Sequence, residues 1–167
     1  MSTIHNNDHS TLATQRAMTT TTTMEILATI LTNVEKVFIR KQYYASCLPA
    51  TLIVWELARK YNIDVQPKCG TLSYDGMAGV LHFWNVFEGQ VYDPTIKVMK
   101  SMLPTLNIEN FKYNEDLHDL GLEEALMLDI FQHFQTTRTT NFYFSKAPNN
   151  LKVIRKIIYN IVSKCLE

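Results

Sequence analysis

Two runs rich in apolar and aromatic residues, Val80 to Phe87 and Gln90 to Asp93, are separated by Glu88-Gly89 alone. A two-residue loop between strand-forming runs specifies a β-hairpin, because a tight turn with positive φ matches the twist of the paired strands. It also specifies register. Phe87 faces Gln90, Asn85 faces Tyr92, and Trp84 faces Asp93. Asp93 is then diagonal to His82 on one strand face, about 7–8 Å away at the backbone. A turn longer or shorter by one residue would send Asp93 to the opposite face.

A helix is expected just upstream. In Ala45-Ser46-Cys47-Leu48-Pro49, Ser46 suits an N-cap, and Pro49 is tolerated only in a first helical turn. The helix runs to about Tyr61 and buries Leu52, Ile53, Trp55 and Leu57. Asn62-Ile63-Asp64 turns the chain out. A strand follows from Val65 to Leu72, interrupted at Cys69-Gly70, and residues 74–79 form a flexible loop. Gly121 to about Gln135 reads as a helix, Asn141 to Phe144 as a short strand, and Asn149 to Cys165 as an amphipathic helix.

Residues 1–22 are rich in Thr, Ser, Asn and His. Such a stretch offers little apolar surface against the entropy of ordering, and a disordered tail is expected there. Thr22 and Glu25 match a capping box, opening a helix with Ile26, Leu27, Ile30, Leu31, Val34 and Val37 at helical spacing. Neither an internal repeat nor an interdomain linker is apparent. The expectation is one α+β domain over residues 23–167, with a helix packed on an antiparallel sheet.

The balance of charges narrows the partners. Sixteen basic residues offset sixteen acidic ones, so nucleic acid and anionic membrane are not expected as main partners. Lys152, Arg155, Lys156 and Lys164 read as a solvated helix face. Three cysteines, Cys47, Cys69 and Cys165, lack C-x-x-C spacing, which argues against a zinc site and a disulfide framework and for a reducing, cytoplasmic setting. No acidic cluster has calcium-loop spacing. No apolar run reaches the roughly 20 residues of a membrane span, and Met1 to His9 lacks a secretory pattern. No cofactor is implied.

Cys47, His82 and Asp93 supply a thiol, an imidazole and a carboxylate: a nucleophile, its base, and the group that orients the base. Each has an ordinary reading as well. A free cysteine is often a small hydrophobe, a strand histidine a satisfied polar residue, and Asp93 a strand end before Pro94. The position of Cys47 favours chemistry, because unpaired N–H groups at a helix N-terminus stabilise a thiolate and can bind an oxyanion. Gln42, Tyr43, Tyr44 and the Cys47 backbone N–H are candidate oxyanion donors. Trp84, on the His82 face, is a candidate substrate platform or core residue. Cys69, Cys165, His5, His9, His118 and His133 have no comparable setting.

The run from Ala45 to Thr95 resembles the core of the transglutaminase-like branch of the papain-like cysteine enzymes. There a Cys opens a long helix, and His-Ala-Trp and Asp-Pro-Thr occupy successive strands. Here the matches are Cys47-Leu48, Leu57-Ala58-Arg59, Asn62-Ile63, His82-Phe83-Trp84 and Tyr92-Asp93-Pro94-Thr95. Ala45 replaces the family's Gly, and Phe83 its small residue between His and Trp. The resemblance implies a papain-like α+β fold and a Cys-His-Asp triad. It also implies cleavage or transamidation of a peptide or carboxamide bond through a thioester, on a protein or peptide substrate. A catalytically silent relative serving as a protein-binding module is the alternative, and the crowding by Phe83 suits it.

Overall fold

The computed structural model describes residues 8–74, 79–117 and 122–167, with side chains from Thr22 and, in the fourth helix, from Glu124 onward. The described residues form an α+β domain with six α-helices and one four-stranded antiparallel sheet. In chain order these are α1 (Asp8–Arg40), α2 (Cys47–Lys60), β1 (Gln66–Tyr74), β2 (Val80–Phe87) and β3 (Gln90–Tyr92). Then come α3 (Thr95–Met102), a 3-10 turn (Ile108–Asn110), β4 (Phe111–Asn114), α4 (Leu122–Thr137), α5 (Asn141–Lys146) and α6 (Asn149–Leu166).

The hairpin has the register expected of a two-residue turn. Phe87 pairs with Gln90, Val86 with Val91, and Asn85 with Tyr92. Glu88 and Gly89 take φ values of 49° and 77°, as a type I′ turn requires. The sheet order is β3-β2-β1-β4, so β2 lies between its hairpin partner and β1. β1 runs unbroken through Cys69-Gly70, contrary to the expected interruption. A Cβ on Gly70 would stand 2.0 Å from the Asn114 carbonyl oxygen, so the glycine admits close backbone approach rather than ending the strand.

α2 is the central helix. Ten of its residues, from Leu48 to Ala58, are buried, more than one stripe could supply. It packs on β2 and α1, while α6 packs on α1. Leu27, Ile30, Val34, Leu52, Ile53, Phe83, Phe131, Leu151 and Ile158 belong to one continuous core. At the far end of α2, Asn62 adopts a φ of 58°, while Ile63 N–H donates to the Ala58 carbonyl. This left-handed cap ends the helix and sends the chain into β1.

Three local expectations differ from the structure. α1 begins at Asp8 instead of near Thr22, and residues 8–21 continue the helical backbone where a disordered tail was expected. Extending an established helix adds one hydrogen bond for each residue fixed, which offsets the modest propensity of threonine. Asn141 to Phe144 is helical, not a strand. Phe144 N–H donates to the Thr140 carbonyl, and this single turn buries Phe144 while Phe142 stays exposed. Residues 95–114, for which no element was expected, contain α3 and β4. Residues 75–78 of the expected loop, residues 1–7 and His118 lie outside the described residues. Among the described residues no helix is long and apolar enough to cross a membrane.

Candidate active site

Cys47 is the first residue of α2. Ser46 occupies the cap position and is buried, but its hydroxyl donates to the Tyr44 carbonyl instead of capping the helix N–H groups. Ala50 N–H closes the first turn on the Ser46 carbonyl at 2.9 Å. Because Pro49 has no N–H, the free amides at this end belong to Cys47 and Leu48. Cys47 is half-buried, so its thiol is both supported by the core and open to approach.

His82 and Asp93 meet where the hairpin register places them. The imidazole Nε2–H donates to Asp93 Oδ2 at 2.6 Å, and the two side chains are only 5% and 2% exposed. The tautomer follows from that partner, since a carboxylate only accepts. The Thr95 hydroxyl lies 3.4 Å from the same nitrogen, and the Cys47 thiol stands near enough to act on the charge of the ring. Burial alone would drive His82 toward its neutral form. Hydrogen bonds to Asp93 and Cys47, and their charges, outweigh it and raise the group from 6.5 to about 9.

Asp93 is itself held on all sides. Thr95 N–H donates to Oδ1 at 2.9 Å, and the Thr95 hydroxyl donates to the same oxygen. Tyr113, on β4, donates its hydroxyl to Oδ2 at 3.0 Å. These bonds compensate a carboxylate taken out of water. Burial chiefly, and the neighbouring Asp93 charge, hold the Tyr113 phenol above its ordinary range, so it remains a donor.

The other candidates are placed less centrally. Trp84 is 2% exposed and stacks on His82 at 6.5 Å and 16°, so it buttresses the imidazole and offers no platform to a substrate. Gln42 is exposed and adopts a φ of 51° as the left-handed cap of α1, with Tyr43 N–H donating to the Phe38 carbonyl. Tyr44 is 40% exposed. Tyr43 is half-buried and lies edge-on to Phe38.

Three contributors were not singled out from the sequence. Tyr113 sits on a strand with no clear signal, and Thr95 was read only as part of a motif. Tyr143, on α5, lies near Cys47. Burial, followed by the charges of Tyr43 and Cys47, raises its phenol. Its segment was expected to be a strand, which hid the face it presents. Among the described residues no group of three or more His, Cys, Asp or Glu side chains could hold a metal ion.

The arrangement brings a buried imidazole against a fully bonded carboxylate, with a helix-end thiol nearby. Such a grouping can exchange a proton between sulfur and imidazole while the carboxylate holds the ring still. Comparison with models of known families, with curated proteins and with solved structures finds no match for the chain.

Proposed function

We propose that this chain is a cysteine-dependent acyl-transfer enzyme on a transglutaminase-like, papain-like core. The observation that carries the proposal is the buried 2.6 Å His82–Asp93 bond, with Cys47 at the start of α2 near enough to act on the charge of the ring. Cys47 Sγ attacks the carbonyl carbon of a peptide or carboxamide, its proton passing to His82. The free amides at the start of α2 donate to the developing oxyanion. The tetrahedral intermediate then collapses: the C–N bond breaks, the imidazolium protonates the leaving amine, and a thioester on Cys47 remains. Water, deprotonated by His82, attacks the thioester; the C–S bond breaks, a carboxylic acid is released, and the Cys47 thiolate takes back the proton from the imidazolium. An amine in place of water would give transamidation. Hydrolysis is the favoured outcome, because this small domain carries no evident module for a second substrate.

Site-resolved alkylation by iodoacetamide at pH 7 tests the proposal. Cys165 is exposed and serves as the ordinary thiol within the same chain. Cys47, although half-buried, should react at least about tenfold faster, as expected when imidazole raises the thiolate fraction. His82→Gln should erase that advantage. A Cys47 no faster than Cys165 and indifferent to His82→Gln would refute the enzyme and leave the silent binding module. If Cys47 is activated, incubation with peptides and a primary amine distinguishes hydrolysis from transamidation.

A further inference from the structure

A cavity of about 670 Å³ opens between α5 and α6, within the range of pockets that hold small ligands. It lies away from the thiol. Glu56 of α2, which reaches its edge through Arg155, is nine residues after Cys47 and so about 13 Å along the helix axis.

Its wall comes from one face of α6. Lys152, Arg155, Lys156 and Tyr159 recur at spacings of three and four, which aligns them on the helix surface. Phe144 and Ser145 of α5 stand opposite. What read as a solvated basic face is therefore one side of a cavity with aromatic surface behind it.

The state of each cation identifies the ligand. Arg155 is committed: Nε and Nη2 donate to the two Glu56 oxygens at 2.9 and 2.6 Å, and its plane lies over Phe144 at 4.2 Å. The Tyr159 hydroxyl also donates to Glu56, at 2.7 Å. One carboxylate thus neutralises the guanidinium and removes the fork that would grip a planar carboxylate. Lys152 donates only to the uncharged Ser145 carbonyl, at 3.1 Å. Among the described residues Lys156 has no carboxylate partner. Two compact ammonium groups remain uncompensated on a wall that also bears the rings of Phe144 and Tyr159.

We propose that this cavity binds a phosphate-bearing small molecule, its phosphate held by Lys152 and Lys156 and its body against Tyr159 and the Arg155 guanidinium that covers Phe144. A phosphate dianion matches two point charges better than a carboxylate does. The proposal is independent of the thiol chemistry.

Calorimetric titration of the full chain with inorganic pyrophosphate and with ADP tests it, with citrate as the carboxylate comparator. Saturable binding of at least one phosphate probe is expected. The double variant Lys152→Gln/Lys156→Gln should weaken it at least about tenfold, each lost charged contact accounting for part of that factor. Both lysines are exposed, so the variant should fold, which circular dichroism checks. Alkylation of Cys47 should be unchanged in the variant. Absence of saturable binding by both phosphate probes, binding indifferent to the two substitutions, or equal affinity for citrate would overturn the proposal.

Discussion

Raising the pH from 6 to 10 should unload one buried proton, and the structure sets both the sign and the size of the effect. His82 is 4% exposed and rises from 6.5 to about 9 in the fold because Asp93 and Cys47 outweigh the cost of burial. The folded chain therefore holds the proton more tightly than the unfolded chain. The resulting stabilisation is fully present below about pH 6.5 and is lost as pH rises through about 9, since stability falls wherever the folded state binds more protons. Taking the imidazole from 6.5 to about 9 corresponds to about 3 kcal/mol. Urea unfolding at a series of pH values checks this, with His82→Gln as the reference in which the loss should be absent. The half-buried Tyr113, Tyr143 and Tyr159 are pushed above their ordinary range and titrate beyond this window. A direct reading comes from the His82 ring in NMR, whose midpoint should lie near 9. With Asp93→Asn the chief opposing contact is gone, burial governs, and the midpoint should fall below 6.5. A wild-type midpoint at or below 6.5, or identical pH dependence in His82→Gln, would refute the reasoning.

Two further substitutions probe the supports of this site. Gly70→Ala would place a Cβ 2.0 Å from the Asn114 carbonyl oxygen, forcing β4 away from β1. It should cost about 1–3 kcal/mol, read as a thermal midpoint lower by about 2–4 °C for each kcal/mol. Glu56→Gln should leave Arg155 without its counter-charge where the two side chains are 31% and 11% exposed. A loss of about 2–3 kcal/mol in urea unfolding is expected, below the range for a fully buried pair because Arg155 keeps some water.

The parts of the site encoded by neighbouring residues were legible in advance, and those encoded at a distance were not. Glu88-Gly89 dictates the register of its own hairpin, so Trp84 opposite Asp93 follows from a turn two residues long. Ser46 and Pro49 mark the start of α2 within one turn. The bonds of Tyr113 and Thr95 to Asp93 are different. Tyr113 reaches Asp93 because β4 pairs with β1, a match between segments about forty residues apart that no local pattern announces. The same holds for Trp84, whose place behind His82 depends on Tyr113 packing against it at 5.1 Å. Asn141 to Phe144 misled because three successive aromatic residues favour a strand, whereas burying Phe144 beneath Arg155 needs only a single helical turn.

The tie between α2 and α6 bears on the order in which the molecule becomes competent. Glu56 is joined to Arg155 and Tyr159, and Lys60 Nζ donates to the Ser163 hydroxyl at 2.8 Å, so the strut for the cysteine helix is made about a hundred residues after that helix. The His82–Asp93 pair and the strands that enclose it are complete by β4, ahead of α6. A chain emerging from the ribosome therefore carries thiol, imidazole and carboxylate well before the segment that steadies the thiol's helix has been synthesised. The α2 helix that opens with Cys47 is thereby fully braced only once α6 has docked against it.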